Sequence, residues 1–398
     1  MSLNETPSAE RTHIGFFGCR NAGKSSLVNA VTGQALSIVS DVRGTTTDPV
    51  RKAMELLPLG PVVIIDTPGL DDEGALGTLR VERAVDALNQ SDAAVLVVDA
   101  KLGLRPEDES LLSLLRAREL PHVIAWNKAD LSDALPPEAG ALPVSATTGA
   151  GVHALKERLA RIAPTRVARK LASDLVPPGA AAVLVCPMDE SAPKGRIILP
   201  QQQVIRDLLD VGAMALVTRE TELEAALKRL AEPPAIVITD SQAFRVVSAI
   251  VPRSVPLTSF SILMARYKGF LEAAVAGVRA IGHLRDGDRV LMAEGCTHHR
   301  QCNDIGTVKI PTWLRAHTGK DIAIDTCSGR EFPSDLTPYK LVIHCGGCML
   351  TETAVRYRMH VALAQGVPFT NYGVVIAHMT GALERSLEPI PELREDAP

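Results

Sequence analysis

Short apolar runs recur along the chain, and they alternate with stretches in which hydrophobic residues are spaced three or four positions apart. VVIIDTPGL, residues 62–70, has the length and β-branched content of a buried strand, whereas ELEAALKRLAEPP, residues 222–234, has the spacing of a helix with one apolar face. Strands that alternate with helices are typical of parallel sheets. The pattern therefore predicts an α/β fold along the whole chain.

The pattern also divides into parts. PTRVARKLASDLVPPG, residues 164–179, mixes charges with Pro-Pro-Gly, a composition typical of a domain boundary. At roughly 100–200 residues per domain, a chain of 398 residues has room for several domains. We expect a P-loop domain at residues 1–165 and two smaller α/β domains at residues 166–268 and 269–398.

The composition of the chain argues against nucleic-acid and membrane partners. The chain has 42 basic and 46 acidic side chains, a formal charge of −4, and only 3% aromatic residues, so we expect no nucleic-acid partner. It has no uncharged apolar stretch of about 18 residues and no signal-peptide pattern, so we expect a cytoplasmic protein with no membrane partner. In a reducing compartment its seven cysteines favour metal ligands, catalytic thiols or small core residues over disulfides.

HIGFFGCRNAGKSSLVNAVTG, residues 13–33, reads as a strand, a glycine-bounded loop and a helix. The loop fits the pattern G-x-x-x-x-G-K-[ST], in which backbone N–H groups and the helix N-terminus surround phosphates. Lys24 is expected to reach the β- and γ-phosphates, and Ser25 to bind magnesium. The nucleotide-binding residues expected from this segment are Gly18, Asn21, Ala22, Gly23, Lys24, Ser25 and Ser26.

Two later segments supply the expected magnesium and γ-phosphate contacts. The strand in VVIIDTPGL ends at Asp66, which can hold magnesium through water, and the N–H of Gly69 can contact a γ-phosphate. In DVRGTTTDPV, residues 41–50, we favour Thr47 as the ligand that completes the magnesium shell, with Thr45 and Thr46 beside it. The expected catalytic residues are Asn21, Lys24, Thr47, Asp66 and Gly69.

Two further segments predict that the base is guanine. In HVIAWNKAD a strand ends in Asn127 and Lys128, and the carboxylate of Asp130 can accept both the guanine N1–H and the 2-amino group. Adenine offers neither donor. In PVSATTG, Ser145 and Ala146 are expected to close over the base.

These segments resemble the Era and TrmE branch of translation-factor-related GTPases, and the resemblance covers about the first 165 residues. Leu70 stands where Ras-like proteins carry the glutamine that orients water. Asn21 matches a loop asparagine that binds potassium in the TrmE branch, which implies potassium-stimulated hydrolysis. The other reading of Asn21 is a turn residue that tolerates an unusual backbone angle.

The middle of the chain shows no motif that indicates chemistry. Cys186 lies in the apolar run AAVLVCPM, where a buried free cysteine is the ordinary interpretation. A domain with a core and no site is often an interface, so we expect a homodimer.

Two segments of the last third have the same form, an apolar strand followed by a loop that bears cysteine. They are RVLMAEGCTHHRQCNDIG, residues 289–306, and LVIHCGGCML, residues 341–350. The carboxyl ends of parallel strands gather sites at one sheet edge. A helix is expected after Cys348, with its N-terminal dipole towards negative sulfur, and Gly346 and Gly347 permit close approach of the backbone.

The residues alone are compatible with several roles for these cysteines. A zinc site would use Cys296, His298 or Cys302, Cys345 and Cys348. Three cysteines with an exchangeable fourth ligand suit an iron–sulfur cluster with one open iron. A redox dithiol and simple packing are the remaining alternatives.

The GTPase segments together with Cys296-Thr-His298 and His344-Cys345-Gly-Gly-Cys348 resemble the HydF family of GTPase scaffolds for FeFe-hydrogenase maturation, over essentially the whole chain. The resemblance implies a 4Fe–4S cluster on the three cysteines. His298, His344 and Cys302 are candidates for its fourth ligand.

The same resemblance implies a transient diiron precursor, built with radical-SAM maturases and delivered to apo FeFe-hydrogenase under control by GTP. One alternative is an Era/TrmE-like GTPase of tRNA or ribosome maturation with a structural zinc or redox appendage. Another is a binding scaffold whose GTPase has become vestigial.

Overall fold

The computed structural model of the chain describes residues 6–34, 49–69, 83–132, 140–164, 170–188, 197–295, 304–329 and 332–393. The chain forms two compact units, Met1–Val167 and Ala168–Pro398. The predicted site residues outside the described ranges are Thr45, Thr46, Thr47, Leu70, Cys296, His298 and Cys302.

The first unit contains one six-stranded sheet in the order β2-β3-β1-β4-β5-β6, in which only β2 runs antiparallel to its neighbour. Its strands are β1 (Thr12–Phe17), β2 (Val50–Leu56), β3 (Gly60–Asp66), β4 (Ala93–Asp99), β5 (His122–Asn127) and β6 (Leu142–Pro143). Its described helices are α1 (Lys24–Thr32), α2 (residues 83–89), α3 (Pro106–Ala117) and α4 (Val152–Ile162).

Strand register brings the polar ends of this sheet to one edge. β4, AAVLVVD, is buried along its full length, as a parallel strand with both faces covered must be. Phe16 pairs with Asp66 across β1 and β3, and Asp99 pairs with Asn127 across β4 and β5. The loop expected to bind phosphates, after β1, the expected magnesium ligand Asp66 and the segment expected to bind the base, after β5, therefore begin side by side.

The second unit contains two four-stranded parallel sheets, in the orders β10-β9-β7-β8 and β12-β11-β13-β14. The strands of the first are β7 (Ala181–Val185), β8 (Met214–Thr218), β9 (Ile236–Thr239) and β10 (Leu257–Ser259). The strands of the second are β11 (Arg289–Ala293), β12 (Ala323–Cys327), β13 (Leu341–His344) and β14 (Phe369–Asn371).

The helices of the second unit lie between and after these strands. They are α5 (Leu199–Asp210), α6 (Leu223–Arg229), α7 (Phe244–Ile250), α8 (Phe260–Tyr267), α9 (Leu271–Val278), α10 (Ile310–Thr318), α11 (Glu352–Ala364), α12 (Tyr372–Met379) and α13 (Leu383–Leu387). Across the described parts of both units, no helix is long and apolar enough to cross a membrane. The predicted α/β fold is confirmed for both units.

The two sheets of the second unit have the same topology. In each, the first strand along the chain lies between the second and the third, and the fourth lies beside the third. Val185 pairs with Thr218 and Thr239 in one sheet, and Ala293 pairs with Cys327 and His344 in the other. The segments PLTSFSILMARYKG, residues 256–269, and PFTNYGVVIAHMTG, residues 368–381, also align without a gap. We interpret the unit as an internal duplication, with residues 170–278 and 289–387 as its two halves.

Reciprocal contacts join the two halves. The hydroxyl of Thr258 on β10 donates to the Ser386 carbonyl at 2.8 Å, and the hydroxyl of Thr370 on β14 donates to the Ala274 carbonyl at 2.8 Å. One hydrophobic core cluster runs through both halves. The contacts therefore group the two halves into one unit, and the domain boundary near residue 268 stays a prediction.

Candidate functional site

The phosphate loop between β1 and α1 has the backbone shape that its sequence predicts. Gly18 and Gly23 have positive φ values of 138° and 87°, and Asn21 has φ 58°. A Cβ at Gly18 would lie 2.2 Å from the Val97 carbonyl oxygen, so only glycine fits there. The buried Lys24 ammonium donates to the carbonyls of Gly18 and Cys19 at 2.9 and 2.8 Å, inside the loop where phosphates are expected.

The two expected magnesium ligands of the described residues lie together. The Ser25 hydroxyl donates to the Asp66 carboxylate at 2.8 Å, and Asp66 is buried at the end of β3. Hydroxyl and carboxylate oxygens suit magnesium, so the donor set fits that ion. A Cβ on Gly69 would lie 2.9 Å from the Arg20 backbone, so the segment after Asp66 passes close to the phosphate loop.

The expected base-binding residues surround the end of β5. The Asn127 amide donates to the Ala22 carbonyl at 2.8 Å, and its oxygen accepts the Ala146 N–H at 3.1 Å. Asn127 thus ties the phosphate loop to the 145–146 segment. Ser145 is buried and accepts the Thr148 N–H at 3.1 Å, whereas Asp130 is exposed in a short 3-10 turn.

Asp99 is a residue of this site that the motif analysis missed. Its carboxylate forms an ion pair of 2.6 Å with Lys128, whose ammonium also donates to the Asn21 carbonyl at 2.6 Å. Lys128 therefore links the end of β4 to the loop that precedes α1. The available signal was the form of AAVLVVD, an apolar strand that ends in a carboxylate as β3 does.

Asp108 is a second carboxylate that the motif analysis missed. It lies buried in the first turn of α3 and accepts the Cys19 thiol at 3.2 Å and the Arg105 N–H at 3.2 Å. Burial raises the pKa of Asp108, although Arg105 and Lys24 act in the opposite direction. The contact anchors the phosphate loop to α3.

In the second unit, Cys345 follows β13 directly. Its sulfur accepts the N–H groups of Gly295 at 3.0 Å and Gly347 at 3.4 Å. Gly347 has φ 64°, a conformation that favours glycine. Burial raises the pKa of the Cys345 thiol, and the Gly347 and Gly295 N–H groups oppose that shift. The expected close approach of backbone N–H groups to sulfur is present at this cysteine.

The helix after Cys348 begins later than the sequence suggested. Cys348 lies in a turn, and α11 begins at Glu352 with the Thr351 hydroxyl accepting the Ala354 N–H at 3.2 Å. Thr351 is the N-cap of α11, because its side chain accepts an N–H group of the first helical turn that would otherwise be unpaired. This cap fixes the start of the helix at Glu352 rather than directly after Cys348. The first helical residue is thus four positions beyond Cys348.

His344 is fully buried, and hydrogen bonds engage both of its ring nitrogens. Arg358 donates to Nε2 at 3.1 Å, and Nδ1 lies 2.7 Å from the Cys345 carbonyl. Since arginine can only donate, Nε2 accepts and Nδ1–H donates. Burial, then Arg358, lowers the pKa of His344 to about 3, which keeps the imidazole neutral. A role for His344 as an iron ligand stays a prediction and requires release of Nε2.

Three buried residues near Cys345 escaped the motif analysis, namely Glu294, Arg358 and Tyr372. The Tyr372 hydroxyl donates to Glu294 at 3.5 Å, and burial raises the tyrosine pKa well above its usual value, with Cys345 and Glu294 adding to the shift. Glu294 follows β11 as Cys345 follows β13, so its position at the end of an apolar run was a usable signal. Arg358 and Tyr372 lie in helical segments that suggested only packing.

The donor set at this edge suits a thiophilic metal group. Cys345 and Cys348 lie on one short loop, and backbone N–H groups point at the first sulfur, as they do around iron–sulfur clusters. Among the described side chains, no group of three or more histidines, cysteines, aspartates or glutamates is arranged to hold a metal ion. Cys296, the expected third cysteine, lies outside those residues.

Comparison with protein families divides the chain in three. Residues 13–128 match a model described as 50S ribosome-binding GTPase. Residues 171–269 match a hydrogen maturase F dimerization domain, and residues 272–389 match a hydrogen maturase F tetramerization domain.

Individual relatives named as GTPases match about a third of the chain. The chain is 40% identical over 160 residues to the tRNA modification GTPase MnmE of Chromobacterium violaceum, which covers 38% of this chain and 34% of the relative. It is 37% identical over 136 residues to GTPase Der of Kosmotoga olearia, which covers 32% of this chain and 30% of the relative. The chain thus spans about a third of the length of these curated relatives.

Solved structures include Era of Aquifex aeolicus, at 20% identity and a TM-score of 0.35, covering 52% of this chain and 93% of that one. They also include the G domain of the iron transporter FeoB of T. maritima, at 25% identity and a TM-score of 0.29, covering 39% of this chain and 99% of that one.

Proposed function

The chain belongs to the hydrogen maturase F (HydF) family, and we propose that it is a GTP-hydrolysing scaffold that binds a 4Fe–4S cluster, accepts the diiron precursor of the FeFe-hydrogenase active site and delivers it to the apo-enzyme. The observation that supports cluster binding best is the pair of N–H groups, from Gly295 and Gly347, that point at the Cys345 sulfur. These donors come from the ends of two neighbouring parallel strands, and Cys296 follows Gly295 directly.

In this proposal Cys296, Cys345 and Cys348 supply the three thiolates. N–H donation to Cys345 stabilises its thiolate. The neutral His344 donates Nδ1–H to the Cys345 carbonyl at 2.7 Å and so orients the segment that contains this cysteine. A 4Fe–4S cluster with three cysteine ligands supplies one-electron chemistry and an iron whose fourth ligand can exchange. That exchangeable position is where the diiron precursor would attach and leave.

In the first unit, Lys24 exchanges the carbonyls of Gly18 and Cys19 for the β- and γ-phosphates of GTP. Ser25 and Asp66, which are joined by a 2.8 Å hydrogen bond, would hold magnesium, with Thr47 as the proposed further ligand. Asp130 is exposed and able to accept the two guanine donors. The γ-phosphate thereby controls the segments that contain Thr47 and Gly69, which gives the scaffold two nucleotide-dependent states.

The second unit is proposed to form a homodimer. Its matched domains are described as dimerization and tetramerization domains, and the edge strand β8 exposes the side chains of Met214 and Val217. We expect light scattering to report at least twice the 42.4 kDa chain mass. A monomeric mass at micromolar concentration would contradict the dimer.

Transfer to hydrogenase tests the whole function. The protein is reconstituted anaerobically with iron and sulfide, incubated with the radical-SAM maturases and their substrates, and then isolated and mixed with apo FeFe-hydrogenase. After reconstitution and before the incubation, the dithionite-reduced protein should give a 4Fe–4S electron paramagnetic resonance signal. After mixing with apo-hydrogenase, we expect hydrogen evolution only if the protein was first incubated with the maturases. Stoichiometric zinc with no cluster and no hydrogen would point instead to a structural metal on a GTPase of another pathway.

Potassium is expected to stimulate GTP hydrolysis. Asn21 has a positive φ at the exposed side of the phosphate loop, and its carbonyl already accepts a cation, the Lys128 ammonium. A potassium ion beside the phosphates would neutralise transition-state charge, as an arginine finger does. Phosphate release is measured in matched KCl and NaCl, with Asn21→Ala as the variant that should lose the difference. Equal rates in the two salts would remove the potassium proposal.

A further inference from the structure

Arg358 is the one buried arginine that the described residues place at the cysteine-bearing edge of the second unit. It lies on α11 with 5% of its surface exposed. Its guanidinium donates to the Glu294 carbonyl at 3.4 Å, to Nε2 of His344 at 3.1 Å and to the Gly329 carbonyl at 2.5 Å. It also lies 5.2 Å from the ring centroid of Phe332.

The three acceptors of Arg358 belong to three different strand ends. Glu294 follows β11 and is two residues before Cys296, His344 ends β13 immediately before Cys345, and Gly329 is two residues after the end of β12. One side chain therefore holds the segments that contain the proposed cluster ligands. Through His344 the contact continues to the Cys345 carbonyl at 2.7 Å.

The duplicated half shows that the fold itself does not require this arginine. Thr239 ends β9 where His344 ends β13, and Cys186 follows β7 where Glu294 follows β11. The backbone hydrogen bonds at the two edges correspond, since Cys186 N–H donates to Thr218 and Glu294 N–H to Cys327, both at 2.9 Å. Yet no arginine in the described part of residues 170–278 is buried. The arginine accompanies the cysteines rather than the topology.

Charge explains why the cysteine-bearing half would keep it. Burying a guanidinium is costly unless hydrogen bonds and negative charge compensate. Burial lowers the pKa of Arg358, while Cys327 and Cys345, when ionised, act to raise it. Thiolates and cluster sulfides at this edge would provide lasting negative charge, and the arginine would stabilise them in return.

We propose that Arg358 is a positioning residue for the cluster, which orients His344 and the three strand ends and keeps a positive charge beside the cluster thiolates. The inference rests on the proposed function only in requiring a cluster at Cys345 and Cys348. A nearby positive charge stabilises the more negative, reduced cluster, so it raises the reduction potential.

The test is a redox titration of the reconstituted full chain, followed by electron paramagnetic resonance, with iron measured in each sample. In Arg358→Met we expect at least a tenfold shift of the one-electron equilibrium towards the oxidised cluster, which is about 59 mV. Arg358→Lys should show little of that shift, because lysine keeps the positive charge. Arg356→Met is the matched control, since Arg356 lies on the same helix but is exposed and paired with Glu352.

The outcomes separate this inference from the proposed function. If Arg358→Met does not fold, Arg358→Gln takes its place, because its amide still donates in a polar site, and the same tenfold shift is expected. A folded neutral variant with the potential of the unaltered protein would overturn the role of Arg358 while leaving cluster binding intact. An unaltered protein that takes up no cluster would overturn both.

Discussion

Cys345→Ala is expected to lose the 4Fe–4S cluster. The Cys345 sulfur lies at the meeting point of two N–H groups, from Gly295 and Gly347, so its loss removes a ligand and leaves those donors without their acceptor. Two remaining cysteines cannot hold a cluster that needs three thiolates. Bound iron and the reduced electron paramagnetic resonance signal should both fall by more than about tenfold, since even outer-shell changes at metal sites cost that much.

Cys186→Ala is the matched control for this loss. Cys186 is buried beside the corresponding sheet edge of the duplicated half, where its neighbour Asp240 follows β9 as Cys345 follows β13. Burial raises the pKa of Cys186 to about 12, with Asp240 adding to the shift, so this thiol stays protonated and is a poor ligand. Iron content in the control should match the unaltered protein. Full iron in Cys345→Ala would contradict the assigned ligand.

Lys24→Ala is expected to lose GTP hydrolysis and to keep the cluster. The Lys24 ammonium is buried within the phosphate loop, with hydrogen bonds to two of its carbonyls, and it is the expected partner of the β- and γ-phosphates. Removing a positioned donor from a transition state typically costs about 10²–10³ in rate. Phosphate release should fall by that factor, and delivery to apo-hydrogenase should fall with it.

Lys52→Ala provides the control, because Lys52 is an exposed lysine on β2 that donates to Gln34. It should hydrolyse GTP at the rate of the unaltered protein. Iron and sulfide are measured in both variants, since Lys24 and Cys345 lie in different compact units. Loss of iron in Lys24→Ala would contradict the expectation that the second unit binds its cluster independently of the GTP site. Unchanged hydrolysis would contradict the role of Lys24.

Local sequence was sufficient to predict which polar residues of the first unit lie close together. Gly18, Lys24, Ser25, Asp66 and Asn127 occur in short motifs whose spacing already implies a strand, a loop and a helix. Parallel pairing then brings the strand ends together, and the structure does place Ser25 on Asp66 and Asn127 on the phosphate loop. Such motifs work because each one contains both its ligand-contacting residues and the turn residues that orient them.

The supporting residues of both sites could not be found in this way. Asp99 pairs with Lys128 from a neighbouring strand, and Arg358 reaches His344 from a helix, so neither lies in a motif with its partner. The duplication was also not recognised from sequence, although residues 256–269 and 368–381 align. The duplication is visible in the strand register and in the reciprocal hydrogen bonds between the halves, whereas few residues are identical between them.

The sequence by itself determined the α/β class, the nucleotide-binding segments, and the expectation that cysteines gather at strand ends. Apolar runs and glycine-bounded loops act over a few residues, so they can be read along the chain. Only the tertiary structure decided that His344 is buried with hydrogen bonds at both ring nitrogens, that Cys345 accepts two N–H groups, and that Arg358 donates to His344. Those features depend on side chains and backbone groups from separate strands and a helix, and packing alone brings them within hydrogen-bonding distance.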